Sequence, residues 1–259
     1  MDFKFIKFEL EQDVCAITLN RPDVLNSFNT EMGLELQELL DHCATHSDIR
    51  AISITGEGRA FCAGQDLAEA ISGKFEIEQI VRNTYNPIIT KIRNIPKPVI
   101  AAVNGVAAGA GANIALSCDI VIASDNSSFI QSFSSIGLIP DSAGTYFLPR
   151  LVGIAKATTL TMLGEKISAS EAENIGMIYK SVPKDEFERY VSELSVKLAK
   201  MPTYGLALTK KALNASFENS LDNQLNLEAE LQKLAGESYD YKEGVNSFLE
   251  KRKPTFIGK

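Results

Sequence analysis

From Val99 to Asp119 the chain reads V-I-A-A-V-N-G-V-A-A-G-A-G-A-N-I-A-L-S-C-D, and this stretch decides how the remainder is interpreted. The β-branched start predicts a short strand that ends at Asn104-Gly105. Alanine and glycine fill the following positions, and a helix-compatible segment begins at about Ala110. So many small residues indicate close approach of a ligand or a packed helix. The start of such a helix also presents unpaired N–H groups, which favour a developing negative charge.

The composition is that of an ordinary globular protein. The chain has 259 residues, 45% hydrophobic and 23% charged, enough for one large domain or for one domain with an appendage. A net charge of −7 argues against nucleic-acid and anionic-membrane partners, although K-R-K at 251–253 is locally basic. Cys15, Cys43, Cys62 and Cys118 form no C-x-x-C pair, which favours buried reduced thiols over a metal site or a disulfide framework.

No targeting or membrane-spanning segment is predicted. Residues 1–13 alternate apolar and charged side chains and lack the apolar core of a signal peptide. The most apolar stretch contains Asn104, Asn113 and Asp119, and its alanine and glycine are too weakly apolar for a membrane span. We therefore expect a cytoplasmic protein of enzyme size.

Strand-like and helix-like segments alternate over the first part of the chain. Residues 3–10 and 14–19 predict a hairpin, and Asn29 is a candidate N-cap of the next helix. The apolar face of that helix would consist of Met32, Leu36, Leu39, Leu40 and Cys43. Further strands are predicted at 51–55, 99–103 and 120–123, an extended piece at 129–133, a loop at 73–78 and a helix at 80–92; after residue 155 the patterns are mostly helical. Strands separated by helices indicate parallel β-α-β units, in which ligands bind at the carboxyl ends of the strands.

Three motifs, taken together, resemble the crotonase superfamily of enoyl-CoA hydratases and isomerases. They are R-A-F-C-A-G-Q-D-L at 59–67, N-G-V-A-A-G-A-G-A-N at 104–113 and G-L-I-P-D-S-A-G-T at 137–145. N-R-P-D-V-L-N at 20–26 and F-L-E-K-R-K-P at 248–254 are similar to the same family. The resemblance spans nearly the whole chain, and several motifs in order are far more specific than any one alone.

The resemblance implies an α/β fold, a crotonase-like spiral of β-β-α turns followed by a C-terminal helical region. Residues 1–195 would form the spiral core with the acyl-CoA site, and residues 196–259 a helical trimerisation region. The implied partner is an acyl-CoA substrate, bound by a homotrimer or hexamer with no nucleic-acid or membrane partner. No separate cofactor or metal is implied, because coenzyme A enters as part of the substrate.

The resemblance also implies an oxyanion hole of two main-chain N–H groups, assigned by motif position to Gln65 and Ala110. Enolising a thioester puts charge on its carbonyl oxygen, and each fixed donor contributes roughly 2.7–4 kcal/mol to the transition state. The alternative for both glycine-containing turns is tight packing of helix on sheet. The substrate-binding residues implied are Leu25, Ala63, Asp66, Leu67, Gly109, Gly111, Phe133, Phe248 and Lys251. The last two would reach coenzyme A on a neighbouring subunit, or form part of a solvated basic tail.

Two positions depart from the pattern of the hydratases, which use two glutamates to activate water. Motif position places Asn113 and Phe133 there, and neither side chain can accept a proton as a base. Hydration of an enoyl-CoA is therefore poorly supported. Asn113, assigned to the catalytic group with Asp141, would hydrogen-bond Asp141 or the substrate, or satisfy a nearby main-chain group.

Asp141, in I-P-D-S at 139–142, is the remaining candidate for proton transfer. It stands at the position of the aspartate in the ring-epoxide isomerases of phenylacetate degradation. An apolar pocket would raise its pKa toward neutrality and suit it to carrying protons. The candidate walls of that pocket are Ile136, Leu138, Ile139 and Phe147. The alternative role is N-cap of a helix over 142–150, since Pro-Asp-Ser is a common helix start.

These features predict a cofactor-free acyl-CoA isomerase, with 1,2-epoxyphenylacetyl-CoA as the leading substrate. A Δ3,Δ2-enoyl-CoA isomerase or an enoyl-CoA hydratase of fatty-acid oxidation are the enzymatic alternatives, and an RNA-binding crotonase relative is the non-enzymatic one. A Rossmann oxidoreductase would need G-x-G-x-x-G, whose third glycine position here is Ile114. A serine hydrolase would need G-x-S-x-G and a usable histidine. His42 and His46, four apart, lack further ligands that would complete a metal site.

Overall fold

A computed structural model of the chain describes residues 1–73 and 76–259. Its strands are β1 (Ile6–Glu11), β2 (Val14–Leu19), β3 (Ala51–Gly56), β4 (Ala60–Cys62), β5 (Val99–Val103), β6 (Val106–Ala108), β7 (Ile120–Ser124), β8 (Ser128–Ile130), β9 (Lys166–Ser168) and β10 (Lys180–Val182). Its α-helices are α1 (Thr30–Thr45), α2 (Leu67–Ala70), α3 (Ile77–Ile80), α4 (Asn86–Asn94), α5 (Ala110–Ser117), α6 (Gly144–Val152), α7 (Ile154–Leu163), α8 (Ala169–Asn174), α9 (Lys184–Ala199), α10 (Thr203–Ala215), α11 (Leu221–Glu237) and α12 (Tyr239–Leu249). Shorter helical turns lie at Pro22–Val24, Val81–Tyr85 and Ser132–Ile136.

The larger sheet has the strand order β1-β2-β3-β5-β7-β10. Its first two strands are antiparallel, and the remaining neighbours are parallel. Gln12 and Asp13 between β1 and β2 have φ angles of 50° and 63°, the two-residue turn whose twist matches that of a hairpin. The predicted hairpin is therefore confirmed, although β1 begins three residues later than the predicted strand at residue 3.

The smaller sheet has the order β4-β6-β8-β9. The pairs β3/β4, β5/β6 and β7/β8 each contribute one strand to each sheet, so successive β-β-α turns advance along both sheets together. This is the predicted spiral, and the α/β class is confirmed. Val106–Ala108 was not predicted as a strand, because alanine carries little strand preference of its own.

Helix α1 follows the sequence pattern closely. The Asn29 side chain accepts a hydrogen bond from the main-chain nitrogen of Met32 at 3.0 Å, which confirms the predicted N-cap. All five predicted apolar positions are buried against the larger sheet's core: Met32, Leu36, Leu39, Leu40 and Cys43.

Two segments before the site differ from their predicted structure. The helix expected at 80–92 begins earlier, at Ile77, and contains a π-helical turn at Val81–Tyr85. The extended piece expected at 129–133 ends at Ile130, and a 3-10 turn takes over at Ser132–Ile136, because S-F-S-S lacks the alternation of a strand. The loop predicted at 73–78 includes residues 74 and 75, which lie outside the described residues.

The C-terminal helices are attached to the spiral by α9 and α10. Helix α9 packs Phe187 and Leu198 against one face of the larger sheet. In α10, the Lys210 ammonium donates to the Ile92 carbonyl at 2.7 Å and pairs with Asp119 at 2.7 Å. The predicted boundary after residue 195 falls inside α9, and the division into two parts stays a prediction. Within the described residues no helix is both long enough and apolar enough to cross a membrane.

Candidate active site

Two main-chain amides without acceptors lie on adjacent loops. On either side of Gln65, Phe28 donates to the Gly64 carbonyl at 2.7 Å and Asp66 donates to the Phe28 carbonyl at 2.8 Å, so the Gln65 N–H takes no part in this ladder. Ala110 is the first residue of α5, where N–H groups have no intrahelical partner. Neither N–H has a hydrogen-bond acceptor in the described part of the chain.

Glycines allow the two loops to meet. A Cβ atom at Gly64 would lie 3.0 Å from the Ala108 carbonyl oxygen and 3.6 Å from the Ala110 nitrogen. Gly64 has φ 96° and Gly109, which precedes Ala110, has φ 52°, both in the region that glycine adopts without strain. The structure thus brings the loops of the two predicted oxyanion donors into contact.

Asp141 lies in a tight turn beside the first turn of α5. Its main-chain carbonyl accepts hydrogen bonds from Gly144 N at 2.8 Å and from the Asn113 side-chain nitrogen at 2.9 Å. Asn113 is three residues after Ala110 on the same helix, so the turn that carries Asp141 contacts the helix whose first residue is Ala110. The Asp141 carboxylate accepts a hydrogen bond from the Ser142 hydroxyl at 2.9 Å.

The alternative role of Asp141 as an N-cap is wrong. Helix α6 begins at Gly144, its cap position is Ala143 at φ 58°, and no side chain caps it. The cause is the turn itself: Ser142 and Ala143 both adopt left-handed backbone conformations, which separate Asp141 from the helix start.

Burial raises the pKa of Asp141 to about 6, and the hydrogen bond from Ser142 opposes this only in part. Ile136, Leu138 and Ile139, the predicted apolar walls, are 56%, 40% and 80% exposed, and their role around Asp141 stays a prediction. Phe147, the fourth candidate, is half-buried and packs against the main core.

The two positions of the hydratase glutamates hold no carboxylate. Asn113 is 1% exposed, and it bonds the Asp141 main chain rather than the Asp141 carboxylate. The Phe133 ring is buried, and its nearest atom lies 3.8 Å from where a Cβ of Gly109 would stand. Phe133 therefore lies against the loop that leads to the Ala110 amide.

The predicted substrate-binding residues fall into two groups. The first group surrounds the Gln65 loop. Ala63 N donates to the Leu25 carbonyl at 2.9 Å. Asp66 is the N-cap of α2, which begins at Leu67, and it also pairs with Arg21 at 2.8 Å. Gly109 and Gly111 flank Ala110. Phe248 and Lys251, at the end of α12, are exposed on the C-terminal helices, and their predicted role toward a neighbouring subunit stays a prediction.

Tyr85 was expected from the sequence only to influence the shape of the acyl pocket, without a position, and the structure places it beside Gln65. It is buried at the end of the π-helical turn, packs edge-on against Phe28 with ring centroids 6.1 Å apart, and donates its hydroxyl to the Gln65 side-chain oxygen. Burial raises its pKa well above the ordinary value, and the nearby Cys62 and Asp141 raise it further. A π-turn shifts the helical register, and the sequence pattern carries no signal of it.

Metal-ligand clusters are absent from the described residues: no three histidine, cysteine or acidic side chains converge. His42 in the last turn of α1 and His46, the residue that caps its C-terminus, have ring centroids 4.7 Å apart. The expectation that the protein uses neither metal nor separate cofactor stays a prediction.

Comparisons with known proteins agree with these features. A family model described as enoyl-CoA hydratase/isomerase matches residues 9–259. The chain is 46% identical over 260 residues to "1,2-epoxyphenylacetyl-CoA isomerase" of Escherichia coli (strain K12), covering 99% of each chain. It is 44% identical to a protein of Rhodobacter capsulatus named "Probable enoyl-CoA hydratase", covering 100% of each. A crystal structure of an enoyl-CoA hydratase from Bacillus anthracis superposes with a TM-score of 0.92 at 32% identity, over 99% of this chain and 100% of the other.

Proposed function

Because the chain belongs to the enoyl-CoA hydratase/isomerase family, we propose that it isomerises acyl-CoA thioesters without a separate cofactor, with 1,2-epoxyphenylacetyl-CoA as substrate. One observation carries this proposal. Asp141, a carboxyl group with a pKa of about 6, lies in a turn whose main-chain carbonyl accepts a hydrogen bond from Asn113 of α5, the helix that begins at the unpaired Ala110 amide, while the positions of both hydratase glutamates hold Asn113 and Phe133.

The proposed chemistry divides between the main chain and Asp141. The N–H groups of Gln65 and Ala110 donate to the thioester oxygen as charge develops on it. In a double-bond shift, the Asp141 carboxylate removes a proton from the α or γ carbon and the resulting acid returns it to another carbon. In the epoxide reaction the same groups assist rearrangement of the ring, and the substrate gains and loses no atoms. A pKa of about 6 suits both directions of proton transfer near neutral pH.

Hydration is the less favoured reaction for a physical reason. Two glutamates hold and activate the water in the family's hydratases, whereas Asn113 here donates its amide to a main-chain carbonyl and Phe133 is apolar. A single carboxyl group would have to activate water and protonate the substrate carbon in turn. Hydration is the competing candidate, because the Rhodobacter capsulatus relative is named "Probable enoyl-CoA hydratase".

We further propose that the protein works in the cytoplasm as a homotrimer or hexamer. Support for assembly comes from apolar side chains exposed on the C-terminal helices: Leu213, Leu221, Leu225, Phe248 and Leu249. Apolar surface exposed on a helical region is a common feature of protein interfaces. Sedimentation of the purified protein tests the stoichiometry, and a monomer at micromolar concentration would contradict it.

The decisive experiment compares the wild type with Asp141→Asn on three thioesters: 1,2-epoxyphenylacetyl-CoA, a 3-enoyl-CoA and crotonyl-CoA. We expect wild-type isomerisation of the epoxide and a loss of about 10²–10⁴-fold in Asp141→Asn, the range for a positioned proton carrier. Asp222→Asn, an exposed carboxyl on α11, is the matched control and should retain full activity.

Three results would overturn the proposal or part of it. Brisk hydration of crotonyl-CoA would identify a hydratase. Full epoxide isomerisation by Asp141→Asn would remove Asp141 from the mechanism. Activity on the 3-enoyl-CoA alone would replace the epoxide by an alkene as the substrate.

A further inference from the structure

We propose that Asn113 and Gln131 act together as positioning residues, which hold the turn that carries Asp141 and thereby set the place of its carboxylate. The inference rests on the proposed function, in which Asp141 carries the proton. Neither side chain is expected to touch the substrate, because both are buried, with 1% and 5% of their surfaces exposed.

The two amides form a directed chain of hydrogen bonds. Gln131 Nε2 donates to Asn113 Oδ1 at 2.8 Å, and Asn113 Nδ2 donates to the main-chain oxygen of Asp141 at 2.9 Å. An asparagine amide has one oxygen acceptor and one nitrogen donor. Because Gln131 occupies the oxygen, the Asn113 nitrogen is directed toward Asp141.

The turn needs such a restraint. Ser142 and Ala143 have φ angles of 50° and 58°, and two successive left-handed residues other than glycine are costly. Conformations of this kind persist where the surroundings over-determine them. The turn also lies directly on the amide, since a Cβ at Gly144 would be 2.2 Å from Asn113 Nδ2.

At the Gln131 end of this series of hydrogen bonds, one buried acceptor is unpaired, and the pairing of Gln131 with Asn113 explains it. Gln131 Oε1 is buried and has no hydrogen-bond partner among the described residues. An apolar side chain of the same size would avoid this unpaired acceptor. Glutamine at this position is explained if its Nε2 donor is needed to orient Asn113.

The charged and titratable groups near Asp141 are other residues than Asn113 and Gln131. Ser142 donates to the carboxylate, and Tyr85 on the π-turn side is in electrostatic contact with it. Asp66 and Glu69 act on the same phenol from the Gln65 loop. Asn113 and Gln131 carry no charge, so apolar replacements change the geometry and hydration of Asp141 without adding or removing a charge.

The test uses Asn113→Leu and Gln131→Met, which keep side-chain size and remove the amides. The first readout is the titration of the Asp141 carboxyl by NMR of protein labelled with 13C aspartate, without substrate and assigned with Asp141→Asn. We expect the pKa of Asp141 to move by about half a unit or more toward the ordinary aspartate value in both variants, because the released carboxylate gains water. The second is the pH profile of kcat/KM, whose acid limb should move in the same direction.

Kinetic constants separate positioning from binding. We expect kcat to fall about tenfold or more in Asn113→Leu with KM nearly unchanged, since small displacements of a reacting group are costly. Adding Ala143→Gly should restore part of the titration and of kcat, because glycine adopts the left-handed conformation without strain. Ser117→Ala is the control: it removes a buried hydrogen bond to the Ile114 carbonyl at the other end of α5, and should leave the titration unchanged.

The possible outcomes are distinct. Wild-type titration in both variants overturns the inference, and so does lost activity without a shifted titration, which would mean a merely structural role. If Asn113→Leu does not fold, Gln131→Met decides the matter alone. A shifted titration in a protein that is inactive on all three thioesters would leave the positioning intact and reject the proposed function.

Discussion

At the scale of single residues, two aspartates in neighbouring loops have opposite properties. Burial raises the pKa of Asp141 to about 6, with one hydroxyl from Ser142 in opposition. Burial acts on Asp66 in the same direction, yet the Arg21 guanidinium and the amides of Ala68 and Glu69 hold its pKa below the usual range. Environments that separate the pKa values of like side chains often assign their roles: Asp66 fixes the loop, and the pKa of Asp141 suits its proposed role in proton transfer.

This difference predicts how stability depends on pH in Asp141→Asn. The folded pKa of Asp141 lies above its unfolded value, so the folded state binds the proton more tightly and stability falls as pH rises through that window. Above this pH window, the buried carboxylate costs up to about 3 kcal/mol of stability. We therefore expect the free energy of unfolding of Asp141→Asn at pH 8 to exceed that of the wild type by about 1–3 kcal/mol. Urea denaturation at pH 8 and near pH 3 measures this.

Near pH 3 the carboxyl is protonated in both states, and the advantage of the variant should vanish. An equal gain at both pH values would mean that asparagine packs better, rather than that ionisation is costly.

At the scale of elements, helix α5 explains the run of small residues. All eight of its residues are buried. A Cβ at Gly111 would lie 2.4 Å from the Cys62 carbonyl oxygen and 2.7 Å from its sulfur, so only glycine lets α5 approach β4 this closely. The sequence left two explanations for the small residues, a packed helix or a ligand. The packed helix is present, and a ligand at the unpaired amides stays a proposal.

Gly111→Ala is therefore expected to destabilise the protein by about 1–3 kcal/mol or more, as overpacking in a core does. Its proposed isomerase activity should fall further than its stability requires, because the Ala110 amide moves away from Gln65. Gly205→Ala is the matched control: the site in α10 has nothing within 4 Å of a Cβ, and alanine should stabilise that helix by about 0.5–1 kcal/mol. Thermal and urea denaturation measure both, and a harmless Gly111→Ala would refute the close contact.

At the scale of the whole molecule, buried charges join the C-terminal helices to the spiral. Lys210 of α10 is 8% exposed and reaches two main-chain carbonyls, of Ile92 and Lys97, as well as Asp119. Asp119 also pairs with Arg93 at 3.2 Å and accepts from Val99 N at 2.8 Å, at the start of the central strand β5. One charged cluster thus connects helix α10 with the strand that leads into the site.

Lys210→Met is expected to lower the free energy of unfolding by about 2–4 kcal/mol, because removing one partner leaves buried carbonyls and a carboxylate short of donors. Lys211→Met, at the next position on an exposed part of α10, should change it by less than about 0.5 kcal/mol. Urea denaturation compares the pair. Equal effects would mean that the buried cluster contributes nothing beyond what any lysine on this helix contributes.

Local patterns in the sequence determined the α/β class, the hairpin and the capped helix α1, because periodicity and caps act over a few neighbouring residues. The motifs that resemble the crotonase family located the loops of Gln65, Ala110 and Asp141. Tertiary structure alone decided the features that join distant positions: the π-turn that presents Tyr85 to Gln65, and the Gln131–Asn113 chain that reaches Asp141. It also left Ile139 80% exposed. Burial and hydrogen-bond partners depend on which segments meet in space, and no local pattern encodes that.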